Sequence, residues 1–92
     1  MPLPNTDSFE RKVSEQGYKI FRLTLDLQEG LDDHEHDYDL WGSVATGEFR
    51  ITKNGETHIY GEGEEFQLDT SEEHSEVSGS EGASLVVGRR QN

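Results

Sequence analysis

His34 and His36 are separated by a single residue, so on an extended strand both imidazoles project from one face. Two rises of about 3.3 Å set their Cα atoms roughly 6.5 Å apart, close enough for two ring nitrogens to meet one ion. A third histidine, His74, opens a later strand-like stretch after a tight polar loop. Three neutral imidazoles leave coordination positions open for water, oxygen or a bidentate substrate. Glu76 lies two residues beyond His74, on the same face of a regular strand. There it can add an oxygen ligand or act as an acid or base beside a metal. The same residues admit a plainer reading: an exposed His pair in an acidic turn, and a solvated carboxylate in a glutamate-rich stretch.

Other candidate groups surround these. The alternation of residues 48–60 sets His58 with Phe49, Ile51 and Tyr60, facing the interior of a barrel as a core or rim histidine. Tyr38 and Trp41 either line a mouth that stacks on a ligand or belong to the core. Arg89 and Arg90 either hold an anionic substrate or serve as surface charge or a subunit contact. No cysteine occurs, which excludes disulfides, thiolate metal sites and cysteine nucleophiles. There is no Ser-His-Asp arrangement, no glycine-rich phosphate loop before a helix and no nucleotide motif.

The elements that must position these residues are short strands. Ninety-two residues make one domain (1–92), and apolar residues at 29% leave a thin core that a sheet wrapped on itself can fill. After an extended leader, Asp7 or Ser8 caps a helical turn that runs to about Gln16 and ends at Gly17. Residues 1–17 form an arm; residues 18–89 form the barrel core. Tyr18–Leu27 alternates, with Phe21, Leu23, Leu25 and Leu27 on one side. A second strand begins at Asp32–His36, and Leu40–Ala45 is a third, closed by Gly47. Asn54-Gly55 between two alternating runs is a two-residue hairpin turn, with Lys53 opposite Glu56, Ile51 opposite His58 and Phe49 opposite Tyr60. Glu65–Asp69 and His74–Val77 are further strands, Ser78–Gly82 reads as a small-residue loop, and Ala83–Arg89 is the last strand.

Twenty acidic residues against eight basic ones give a net charge of −12. That field repels phosphate backbones and anionic membranes, so neither nucleic acid nor a membrane is an expected partner. No apolar run reaches the length of a signal peptide or a membrane span, which makes the cytoplasm the default compartment.

At the histidines the chain resembles the cupin superfamily, and in particular small single-domain bacterial cupins of the RmlC-like type. Their first motif is G-x5-H-x-H-x3,4-E-x6-G and their second G-x5-P-x-G-x2-H-x3-N. His34, His36 and Gly47 fall at the first motif's two histidines and closing glycine; Gly63 and His74 fall at the second motif's opening glycine and histidine. The ending Val87-Gly88-Arg89-Arg90 is also similar to that of small bacterial cupins. Where the family carries its metal-binding glutamate this chain has Leu40 and Trp41, and Asp39 stands one residue off. The family's Pro, Gly and Asn positions in the second motif hold Asp69, Ser71 and Ser78.

The resemblance implies an all-β jelly-roll barrel (a double-stranded β-helix) with a short N-terminal helical segment. It also implies a divalent transition metal (Fe, Mn, Ni or Zn) on His34, His36 and His74, with Glu76 as a further candidate. Tyr38, Leu40, Trp41, Phe49, His58 and Tyr60 would line the pocket for a small-molecule ligand. Oxygenase or isomerase chemistry is one family possibility, and a non-catalytic ligand-binding or sensory barrel is the other. Cupins commonly pair through an edge strand, so a homodimer is expected.

Overall fold

The computed structural model describes residues 6–26, 30–34, 37–70 and 72–91, with 30–34 described by backbone alone. Helix α1 (Asp7–Glu15) is followed by strands β1 (Lys19–Leu25), β2 (Gly30–His34), β3 (Tyr38–Lys53), β4 (Glu56–Tyr60), β5 (Glu65–Leu68) and β6 (His74–Gln91). All strand pairs are antiparallel. Among the described residues no helix is long and apolar enough to cross a membrane.

The architecture rests on β3 and β6, which pair with each other along most of their length. Residues 38–47 of β3 pair with 83–91 of β6, and residues 49–52 pair with 75–78. The register shifts between Val44 and Thr46 and again between Gly47 and Phe49. The first shift leaves Ala45 outside the register; the second leaves Glu48 of β3 and residues 79–82 of β6 outside it, and such irregularities bend the strands, so one ribbon serves two sheets. The first half of the ribbon carries β1 on one flank and β5 on the other; the second half carries β2 and β4. The two sheets face each other as a jelly-roll barrel.

Sequence patterning misjudges this ribbon at two places. Ser78–Gly82 has the pattern of a loop, yet β6 runs unbroken through it. Leu40–Ala45 and Glu48–Lys53 have the pattern of separate strands, yet β3 joins them. Small residues there serve a strand corner rather than a turn: a Cβ on Gly47 would stand 2.2 Å from the carbonyl oxygen of Gly82. The helix start also differs. Thr6 is the N-cap residue and makes no side-chain cap bond; its Oγ1 donates instead to Glu10 Oε2 at 2.6 Å.

Period-two alternation sorts the side chains into two cores. Leu40, Val44, Phe49, Ile51, Phe66, Leu68, Ala83, Leu85 and Val87 fill the barrel interior. On the outer face, Phe9 and Val13 of α1 lie one helical turn apart and pack on Val86 with Tyr18, Ile20 and Trp41. The hairpin forms in the expected register, Lys53↔Glu56 through Phe49↔Tyr60, around Asn54 at φ 53° and Gly55 at φ 79°.

Candidate functional site

The corner at Gly47 and Gly82 closes one end of the barrel, and the register shows what gathers at the other. Moving away from the corner, β6 reaches Arg89, which stands opposite Lys19 on one side and Leu40 on the other. The second sheet reaches the same end with His74 of β6 opposite His34 of β2. Two polar stitches hold it: the Thr70 amide and hydroxyl donate to Asp39 Oδ1 at 2.8 and 2.9 Å, and Lys53 pairs with Glu72 at 3.1 Å.

His74 is the best-defined member of the candidate metal set. Its side chain is wholly buried, and Nδ1 lies 2.9 Å from the carbonyl oxygen of Glu72. A carbonyl can only accept, so Nδ1 carries the proton in that contact, and in the neutral tautomer this leaves the lone pair at Nε2. Nε2 stands 3.4 Å from Glu76 Oε1, as expected for residues two apart on one strand. A lone pair facing a carboxylate at this distance is an arrangement that a shared proton or a cation stabilises. Burial tends to raise the pKa of Glu72. It is outweighed by the Asp69 amide, the Lys53 ammonium and His74, which together hold that carboxyl below its ordinary value.

His34 is placed by backbone register opposite His74, a pairing in which Cα atoms stand about 4.5–5.5 Å apart. Its side chain and the whole of His36 lie outside the described residues. Among the described residues no three His, Asp or Glu side chains are grouped to hold one ion.

The pocket residues divide between the two faces. Leu40 and Phe49 are buried in the interior core, with Tyr38 and Tyr60 packed against it. Trp41 does not join them. Leu40 points inward, so its neighbour points outward, where Trp41 meets Phe9 and Tyr18 edge-on and donates from Nε1 to Glu65 at 2.9 Å. His58 keeps its place opposite Ile51, but its side chain is 53% exposed and lies 3.7 Å from Glu56. It sits on β4, which among the described residues pairs with β3 alone and is an edge of the sheet. The interior placement expected for His58 is thereby corrected. Asp39, the carboxylate beside the missing family glutamate, also faces outward, toward Thr70 and Arg90.

Arg89 is the group whose role is least evident from the sequence. Its Cζ lies 4.7 Å from the ring centre of Phe21 and 5.0 Å from that of Tyr38. The phase of Leu85, Val87 and Arg89 along β6 is the one signal available for it, since it directs the guanidinium to the interior side.

No protein-family model matches the sequence, and no curated protein is significantly similar to it. Solved structures do match. An RmlC-like cupin from Shewanella frigidimarina superposes with a TM-score of 0.72 at 19% identity, over 82% of this chain and 67% of that one. KdgF from Halomonas sp. gives 0.72 at 18% identity, over 82% and 69%. Oxalate decarboxylase from Bacillus subtilis, a protein with Mn(II) centres, gives 0.66 at 22% identity, over 78% of this chain and 20% of that one. With its bent two-sheet ribbon and these neighbours, the chain has the cupin fold.

Proposed function

We propose that this barrel binds a small molecule at a divalent transition metal held by His34, His36 and His74, with Glu76 as an oxygen donor. The observation that carries the reading is the geometry of His74. The Glu72 carbonyl holds Nδ1, and Nε2 is turned toward a carboxylate 3.4 Å away. Metal-binding histidines are commonly oriented by such a second hydrogen bond, which selects the tautomer and the ring plane. The donor set is borderline in softness and suits Fe, Mn, Ni or Zn. A bound metal would supply Lewis-acid polarisation of a ligand oxygen. The protein's own part is to orient His74 through Glu72, to keep a carboxylate beside it at Glu76, and to shield one side with Leu40 and Phe49.

The test is elemental analysis of protein purified without a histidine tag and reconstituted with each of the four metals. A His34→Ala, His36→Ala double variant and a His74→Ala variant are measured alongside. About one equivalent of metal in the wild type, lost in both variants, supports the site; no retained metal in the wild type removes it. The second reading is a ligand-binding or sensory barrel without metal, with oxygenase or isomerase turnover absent. It is favoured by Leu40, an apolar side chain packed in the interior core at the position where the family has its glutamate. A cytoplasmic homodimer is part of both readings.

A further inference from the structure

The histidine end of the barrel also carries a second polar feature. A cavity of about 390 Å³ opens there, lined by Gly17, Lys19, Phe21, Tyr38, Arg89 and the last residues of β6, a volume within the range of small-ligand sites. Three basic residues line it in a chain whose net charge is −12. They are not equivalent. Arg90 is committed to the protein: it donates to the Gln16 carbonyl at 3.0 Å, stands 3.6 Å from Asp39 and lies against the Tyr18 ring. Arg89 is held between aromatic faces, Phe21 from β1 on one flank and Tyr38 from β3 on the other. Among the described residues it has no hydrogen-bond or ion-pair partner, and its Nε is buried.

Nε is closed off, so the terminal amino groups of the guanidinium, which have no protein acceptor among the described residues, are the donors that a ligand acceptor can meet. The flanking rings hold the group by cation–π attraction and leave its hydrogen-bonding edge for something else. That edge matches a carboxylate in bidentate geometry. The surrounding acidic field disfavours a multiply charged anion such as phosphate more than a singly charged one. We infer that Arg89 is an anion-binding residue that takes the carboxylate of a small organic acid in the Phe21–Tyr38 cavity. Lys19, its register partner on β1, adds a second positive charge at the rim. Tyr38 follows His34 by four residues, a span of at most about 14 Å. A carboxylate seated at Arg89 is therefore close to the candidate metal end, yet its binding requires no metal.

The test is calorimetric titration of benzoate into protein kept in EDTA, with benzamide and inorganic phosphate as comparison ligands. Wild type is expected to bind benzoate and not benzamide. Arg89→Met is expected to weaken benzoate at least tenfold, and Arg89→Lys to restore only part of the loss. Absence of benzoate binding in wild type overturns the proposal, as does equal affinity in Arg89→Met, equal affinity for benzamide, or tighter binding of phosphate. Backbone amide shifts on benzoate addition to wild type give a readout that needs no variant. They must centre on Lys19, Phe21, Tyr38 and Gln91, and a response centred elsewhere overturns the assignment. Working in EDTA separates this result from the metal site, whose failure would leave benzoate binding intact.

Discussion

Gly47 and Gly82 meet where the long ribbon turns from one sheet to the other, so closely that a Cβ on Gly47 would stand 2.2 Å from the Gly82 carbonyl oxygen. Gly47 also has φ 84°, a conformation that costs other residues about 1–2 kcal/mol. Strain and a backbone clash therefore act together. Gly47→Ala is expected to lower stability by about 3 kcal/mol or more. Gly55 has a similar φ of 79°, but a methyl group there would meet nothing within 4 Å, so Gly55→Ala should cost only about 1 kcal/mol. Thermal unfolding of the two variants side by side checks the difference, and equal losses would contradict the corner argument.

The helix is held to the barrel by a small apolar patch, of which Val13 is fully buried. Val13→Ala removes two methyl groups from that contact and leaves a gap beneath Tyr18 and Gly88. The expected loss is about 2 kcal/mol. Urea unfolding should show a lower midpoint with an unchanged slope, because the variant loses packing without changing the surface that unfolding exposes.

The two faces of the hairpin differ sharply in burial. Ile51 is 2% exposed, whereas Ile59 is 56% exposed. Ile51→Ala is expected to cost about 3 kcal/mol, and Ile59→Thr to change stability by no more than about 0.5 kcal/mol. Denaturant titration distinguishes them. A large cost at Ile59 would mean that β4 is covered in solution, as an edge strand in a dimer would be.

A metal at His74 would bind the folded state alone. At a free concentration of one hundred times Kd it adds about 2.7 kcal/mol of stability. For a domain of this size that raises Tm by roughly 10–20 °C. Zinc or manganese should produce such a rise in wild type, EDTA should reverse it, and His74→Ala should abolish it. Scanning calorimetry is the measurement, and a rise that survives in His74→Ala would place the metal elsewhere.

The elements legible in the sequence are those whose signals are local. Asn54-Gly55 announces the hairpin because its two central residues must tolerate positive φ, and the register follows from the turn. The alternation of Phe21, Leu23 and Leu25 marks β1, although Phe21 and Leu23 are 37% and 36% exposed, since among the described residues β1 pairs with β6 alone. The spacing of His34, His36, Gly47, Gly63 and His74 points to the fold that the structure and its solved neighbours show.

Other features depend on which surfaces meet. Trp41 has the composition of a pocket residue, but α1 lies over the outer face, and only the docking of Phe9 and Val13 assigns the ring there. Ser78–Gly82 has the composition of a turn, yet it lies inside β6, between Ser78 opposite Phe49 and Ala83 opposite Gly47, where the ribbon bends. Arg89 looks like terminal surface charge until β1 and β3 bring two rings against it. The His34–Glu76 neighbourhood combines both kinds of information. Residue type and period two are written in the chain, so the chemistry available to His74 and Glu76 on one strand face is determined by sequence alone. The placement of His74 opposite His34 and of Glu76 opposite Leu31, and the carbonyl that orients the His74 ring, come from contacts that form only once the strands pair and the loop before β6 closes. Those contacts are decided by the packing of the whole barrel, because no local preference encodes which strand lies beside which.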